Sequence, residues 1–283
     1  MFRVAEKITE LIGETPLVRY TYSEPSAVLL CKLECMNPTG TLKDRVALRF
    51  LEEKSPGQVI TAATSGALGV SLAAVGAALG LRVILCMPDR GEDTEAENYG
   101  AEIRKTEPKR GFKGAVNTAK TIAEETGGFF INQFEEEEAA AAHRDGTGTE
   151  IWEQSGGVCD ILVCGVGSGA ALSGTGELLR RKNPNIKIIA VEPEESAVLS
   201  GREAKPHNIK GLGAGFVPKI LKRELIDEIL TVSFEKAEAA VKSAAVTNGM
   251  RIGISSGAVL CAAIEVARRL ENKDKTVVAV LPN

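Results

Sequence analysis

Ile161-Leu-Val-Cys164 runs directly into Gly165-Val-Gly167-Ser168-Gly169-Ala170-Ala171-Leu-Ser-Gly174-Thr-Gly176. A short apolar run, a glycine turn and a helical pattern opening at Ala171 read as strand, loop and helix of an α/β fold. Amides of such a turn, together with the positive helix end, make a site for a phosphate. A dinucleotide fold is the rival, since glycine loops after strands also hold pyrophosphate, and Glu192 at the end of the next strand could meet a ribose. A purely structural turn is the other alternative, although five glycines in twelve residues exceed what a turn needs. With no second nucleotide signature beside Glu192, the loop favours a monophosphate.

The same punctuation recurs outward along the chain. Apolar runs at Ala27 to Leu33, Val59 to Ala62, Arg82 to Met87, Glu102 to Lys105, Gly128 to Asn132, Ile186 to Glu192 and Thr276 to Leu281 read as further strands. Helical spacing covers Val46 to Glu53, Leu68 to Leu79, Thr94 to Tyr99, Gly114 to Thr126, Ala139 to Gln154, Ala171 to Lys182, Glu235 to Asn248 and Gly257 to Glu271. This alternation predicts parallel sheets with crossover helices. The 283 residues, 44% hydrophobic with 29 glycines and only 4% aromatics, suffice for two modest domains. A boundary is expected near the acidic run Glu135 to Glu138, which precedes an alanine-rich helix, and a cleft between two sheets would suit a cofactor.

Composition excludes several classes. A net charge of -4 without a basic stripe speaks against nucleic acid. The uncharged stretch Thr61 to Leu81 is long enough to cross a bilayer, but its hydroxyls and glycines at 66, 69, 76 and 80 divide it into a loop and a buried helix, so no membrane association is expected. The N-terminus lacks the apolar segment of a secretory signal, which predicts a cytoplasmic protein. Six cysteines lack Cys-x-x-Cys spacing, and there are only two histidines; no metal site is expected.

Asn37-Pro-Thr-Gly40-Thr-Leu-Lys43-Asp44-Arg45 places a lysine between a Pro-Gly loop and an apolar helical pattern. Desolvation and the positive helix end would both favour the free amine, which forms Schiff bases with aldehydes; the alternative is a solvated lysine at a helix start. Ala63-Thr64-Ser65-Gly66-Ala67-Leu68 repeats strand, turn and helix, and would stabilise a carboxylate or merely cap the helix. Gly253-Ile-Ser255-Ser256-Gly257 forms a third such turn.

Together these motifs resemble the fold type II pyridoxal phosphate enzymes, in particular the cysteine synthase (O-acetylserine sulfhydrylase) and cystathionine β-synthase family. Ile12 to Val18, Asn37 to Arg45, Asn132-Gln133-Phe134, Gly148 to Trp152, Val191-Glu-Pro193, Gly211 to Phe216 and Gly253 to Ala258 follow in the family's order over nearly the whole chain. The resemblance implies two three-layer α/β/α domains, tryptophan synthase β-like, with pyridoxal 5'-phosphate in the cleft. Residues 35–136 would form the smaller domain, carrying Lys43 and the carboxylate loop, and residues 1–34 and 137–283 the larger. Lys43 would form the internal aldimine and move the Cα proton. Gly165, Gly167, Ser168, Gly169, Ala170 and Ala171 would hold the cofactor phosphate, Ser255 would face the pyridine nitrogen, and Ala67 would adjoin the ring. Thr64, Ser65, Gly66, Leu68, Gln133 and Gly211 would receive the substrate. The implied reaction is β-replacement on a β-substituted L-alanine of the O-acetylserine type, through aminoacrylate, by sulfide or a thiol, in a homodimer.

The chain departs from its relatives at identifiable positions. Ala67 and Leu68 replace the Asn-Thr of Thr-Ser-Gly-Asn-Thr-Gly, removing a side-chain donor to the ring hydroxyl. Ala170 and Ala171 replace Gly-Thr at the end of the phosphate loop, and the sequence stops at Leu281-Pro-Asn283 where relatives continue through a short Ser/Gly-rich tail. An active β-replacement enzyme is the leading expectation. A cofactor-binding protein with weakened chemistry and a regulatory or partner role, a cystathionine β-synthase or deaminase activity, and a nucleotide-binding α/β protein are the alternatives.

Overall fold

The computed structural model describes residues 4–23, 26–64, 66–89, 91 and 94–283. Its strands are β1 (Leu17–Arg19), β2 (Val28–Leu33), β3 (Val59–Ala63), β4 (Arg82–Pro88), β5 (Glu102–Thr106), β6 (Phe129–Ile131), β7 (Ile161–Gly165), β8 (Lys187–Pro193), β9 (Glu228–Val232) and β10 (Thr276–Leu281). The α-helices are α1 (Lys43–Leu51), α2 (Ala67–Leu79), α3 (Gly111–Thr126), α4 (Glu137–Ala142), α5 (Thr149–Gln154), α6 (Ala170–Lys182), α7 (Phe234–Asn248) and α8 (Ile254–Arg268). All eight expected strands form. Two more, β1 and β9, are short edge strands whose few apolar residues carry little pattern. Thr94 to Tyr99, expected as helix, is a 3-10 turn at Glu95–Tyr99. The expected helix Ala139 to Gln154 divides into α4, a π turn at His143–Gly148, and α5; Gly146 and Gly148 lower its α preference.

The chain divides into two compact units, one of the described residues in Met1–Ile12 and Asn37–Glu138, the other of Gly13–Met36 and Ala139–Asn283. In the first, four parallel strands run β5-β4-β3-β6. β4 is almost wholly apolar and buried, whereas the edge strand β5 (Glu-Ile-Arg-Lys-Thr) carries charge, which discourages further pairing. The uncharged stretch 61–81 resolves into the end of β3, the 13-residue α2 and a left-handed stop at Gly80. Such a helix is about 20 Å long, and among the described residues none is long and apolar enough to cross a membrane.

The second unit holds a sheet ordered β1-β2-β10-β7-β8-β9, parallel except for β1. Val163, Val191, Val277 and Ala279 on its strands pack with Val259, Leu260 and Ala263 of α8. A buried polar cluster accounts for two sequence motifs at once. Lys32, with no exposed surface, pairs with Glu150 at 2.6 Å and donates to the Thr15 carbonyl and Gln154. Thr15 in turn donates its hydroxyl to Glu34, and the Glu14 amide donates to Glu150. A lysine so deep is tolerable only because carboxylate and carbonyl oxygens surround it.

Both sheets have a strand whose neighbours are reached in opposite directions. In the first, the chain leaves β3 for β4 and β5 on one side and returns to β6 on the other. In the second, it leaves β7 for β8 and β9, then returns through α7 and α8 to β10 on the far side of β7. Open α/β sheets bind ligands at the carboxyl ends of strands around such reversals.

Candidate active site

At the reversal in the first unit, the register pairs Ala62 of β3 with Ile131 of β6. The chain therefore leaves both strands side by side, into Thr64 after one and Gln133 after the other. Thr64 is 4% exposed; its amide donates to the Cys86 carbonyl and its hydroxyl accepts the Gly66 amide. Gly66 is the N-cap of α2 and has no side chain to consume the first-turn amides, which an α-helix leaves without intrahelical acceptors. Ala67 is exposed, whereas Leu68 is 3% exposed and faces the core. Only the main chain of Leu68 can serve a ligand. Ser65, expected in this turn, lies outside the described residues.

Gln133 meets the lysine: Lys43 Nζ donates to its Oε1 at 3.0 Å. Lys43 is the first residue of α1 and partly buried. Burial pulls its ammonium down to about 8, so a useful fraction of free amine exists near neutrality. Its neighbour Asp44, with no exposed surface, accepts from the Thr39 amide at 2.7 Å, from the Thr39 hydroxyl, and from Ser71 Oγ at 2.6 Å. This carboxylate ties the Pro-Gly loop and α2 to the turn that aims Lys43. Reading the sequence alone missed it, because an acidic residue in a first turn also has a plain electrostatic explanation.

At the reversal in the second unit, Val280 of β10 pairs with Cys164 of β7, and Gly165 with Val191 of β8. The turn Gly165 to Gly169 leads into α6, whose N-cap is Gly169 with left-handed backbone (φ 87) and whose first residues are Ala170 and Ala171. A Cβ on Gly167 would lie 2.2 Å from the Gly211 carbonyl oxygen, so only glycine permits this approach. The Gly213 amide donates to the Val166 carbonyl at 2.9 Å, binding the two loops together. Ser168 is 7% exposed, and no acidic residue interrupts positions 165–171. Amides, one hydroxyl and a helix N-terminus are the donor set a phosphate monoester requires.

Glu192 settles the nucleotide alternative. Its carboxylate is 2% exposed and accepts the Leu199 amide at 2.8 Å, the Ser200 amide at 2.9 Å and the Ser200 hydroxyl at 2.6 Å. It anchors the following turn and does not await a ribose. Gly211, in left-handed conformation, lies near Ser255, a Cβ on it falling 3.5 Å from the serine Oγ. Ser255 itself sits in the first turn of α8, buried. The structure thus brings Thr64, Gly66, Gln133 and Lys43 together in the first unit, and the loops at 165–169 and 211 together with Ser255 in the second.

An amine poised to lose its proton beside a helix-capping turn, and a glycine cradle for a phosphate monoester, define a pyridoxal phosphate enzyme of the parallel α/β kind. The family model for pyridoxal-phosphate dependent enzymes matches residues 8–283, and the chain belongs to that family. It is 42% identical over 291 aligned residues to a cysteine synthase of Staphylococcus aureus, covering 98% of this chain and 93% of that one. Among solved structures it is similar to the cysteine synthase of Entamoeba histolytica, with 37% identity and a TM-score of 0.91 over 99% of this chain and 88% of that one. It is also similar to an O-acetylserine dependent cystathionine β-synthase of Helicobacter pylori, with 31% identity and a TM-score of 0.90 over 100% of this chain and 96% of that one. The fold is α/β, the cofactor pyridoxal phosphate, and the activity cysteine synthase-like.

Proposed function

We propose that the chain replaces the β-substituent of an L-alanine derivative of the O-acetylserine type with sulfide or a thiol. The observation that carries this reading is Lys43, its amine drawn down to about 8 and held against Gln133, in a chain 42% identical to a cysteine synthase. When bound, pyridoxal phosphate supplies an aldehyde that captures amines and a ring that accepts negative charge from the substrate α-carbon. Lys43 tethers the cofactor between turnovers and moves the proton at that carbon. Thr64, Ser65 and Gly66, with the amides of Ala67 and Leu68, hold the substrate carboxylate at the N-terminus of α2, and Gln133 orients it beside the amine. The turn Gly165 to Ala171 holds the phosphate, and Gly211 borders the substrate. Ser255 meets the ring nitrogen with a neutral hydroxyl, which leaves the ring a weaker acceptor of charge than a carboxylate would. That suits loss of a leaving group from the β-carbon, which itself carries charge away.

In this reading the amine and carboxylate functions fall to residues of the expected smaller domain, 35–136, and the phosphate and ring functions to residues of the expected larger one, 1–34 and 137–283, although the described residues of 1–12 pack with the first compact unit. Six free thiols, four of them buried, support a reducing compartment such as the cytoplasm. A homodimer is the assembly that the family resemblance supports.

The purified protein is expected to absorb visible light through its lysine-linked cofactor and to form cysteine from O-acetylserine and sulfide, with that band and cysteine formation both lost in Lys43→Ala. Pyruvate and ammonia in place of cysteine would instead make it a deaminase. A second reading, cofactor binding with weakened catalysis, is favoured by Ala67, whose exposed methyl offers no hydrogen bond; an absorbing protein inert toward every β-substituted alanine tried would establish it.

A further inference from the structure

The first turn of α8 is covered by the side chain of Asn283. Ser255 Oγ, in a residue 1% exposed, donates to Asn283 Oδ1 at 2.8 Å. Three further bonds fix the Asn283 backbone: the Gly253 amide donates to its main-chain oxygen at 2.9 Å, Ser256 Oγ donates to the same oxygen at 2.6 Å, and its own amide donates to Ser256 Oγ at 2.9 Å. Ser256 Oγ also lies 3.3 Å from Asn283 Oδ1. A Cβ on Gly253 would fall 2.6 Å from Oδ1 and 2.9 Å from Nδ2, so the glycine makes room for this carboxamide.

We propose that Asn283 is a positioning residue that sets the direction of the Ser255 hydroxyl toward the cofactor ring, an inference resting on the reading that Ser255 faces the pyridine nitrogen. A serine hydroxyl has one proton and two lone pairs. With its proton on Asn283 Oδ1, Ser255 presents a lone pair, which suits a protonated nitrogen. With the amide turned over, Nδ2 donates to Ser255 and the hydroxyl proton is released to an unprotonated nitrogen. A carboxamide supports both states because it carries donor and acceptor on one carbon. A carboxylate supports only the first, and an alanine neither.

The test uses the full chain loaded with pyridoxal phosphate, reading cofactor affinity and the ratio of the cofactor's absorption bands at one pH. Asn283→Asp, which retains shape and backbone bonds, is expected to weaken cofactor affinity about three- to tenfold and to change the band ratio. Asn283→Ala is expected to change the ratio as well, and Ser255→Ala combined with Asn283→Ala to match Ser255→Ala alone, because Asn283 acts through the serine. Wild-type spectra in both Asn283 variants would overturn the inference, as would an Asn283→Ala shift that persists undiminished without Ser255. Lower thermal stability of the cofactor-free variants with unchanged spectra would reduce Asn283 to a structural role. A wild-type chain taking up no cofactor would remove the underlying reading, and the inference with it.

Discussion

The turn after β3 and the turn after β7 share an architecture, each leading from a buried parallel strand into a helix of 13 residues, yet the recognition proposed for them rests on different means. The first depends on side chains: Thr64 shapes the turn, Gln133 touches Lys43, and Asp44 holds the lysine's own turn to Ser71 of α2. The second is mostly backbone, with Gly167 pressed against the Gly211 carbonyl and α6 opening on two alanines. The difference teaches where departures from the family pattern matter. In the proposed roles, an alanine at 67 lacks the side-chain donor that an asparagine would offer. Loss of a hydroxyl at 171 leaves in place the amides proposed to hold the phosphate.

The largest effect is expected for Lys43→Ala, which should lower turnover by at least about a thousandfold while the phosphate turn still binds cofactor non-covalently. Assays of turnover and dialysis-resistant cofactor separate those two functions. Asp44→Ala strands the donors of Thr39 and Ser71 and should cost about 2–4 kcal/mol in urea unfolding. An equal loss from any single substitution at 168, 170 or 171 would erase the contrast between the turns.

The pH dependence of the cofactor-free chain sharpens the same contrast. Below about 8 both folded and unfolded Lys43 are protonated, and the folded state bears the cost of a buried charge. Between about 8 and the ordinary 10.5 the folded lysine gives up its proton first. Stability should therefore rise with pH across that window by on the order of 1–3 kcal/mol, and Lys43→Met should flatten the rise. Because Ala67 is exposed, Ala67→Asn should be accommodated and should raise turnover by about tenfold, the worth of one good hydrogen bond. Leu68→Thr, by contrast, exchanges a core side chain for a hydroxyl and should destabilise the fold by about 1–3 kcal/mol. Ala171→Thr should change cofactor affinity least, by under about threefold; a larger gain there than Ala67→Asn brings to turnover would reverse the ranking of the two turns.

Much of this was legible in the order of residues. Buried parallel strands are continuous apolar runs, so Ile161 to Cys164 and Thr276 to Leu281 declared themselves, and glycine turns marked where each strand gave way to a helix. Lys43 and the turn after β7 stood out by their local patterns, whereas Ser255, which follows α7 and not a strand, gained its expected role only from the family resemblance. Edge strands such as β9 did not, since half-exposed residues obey no simple alternation. Nor did the roles of Asp44, Glu192 or Lys32, whose partners are remote in sequence or whose motifs have simpler explanations: Lys32 meets Glu150 only after the sheet of the second unit has formed.

The sequence by itself determined the α/β class and the family resemblance, and singled out the lysine and the glycine turn as candidates, because those rest on local pattern and on residue types that few other chemistries require. Only the tertiary structure decided that Gln133 reaches Lys43, that Glu192 is consumed by its own loop, that Leu68 faces the core while Ala67 does not, and that Asn283 lies over Ser255. Each depends on strand register or on how a helix is rotated against its neighbours, which the packing of the whole chain sets and no short stretch of residues contains.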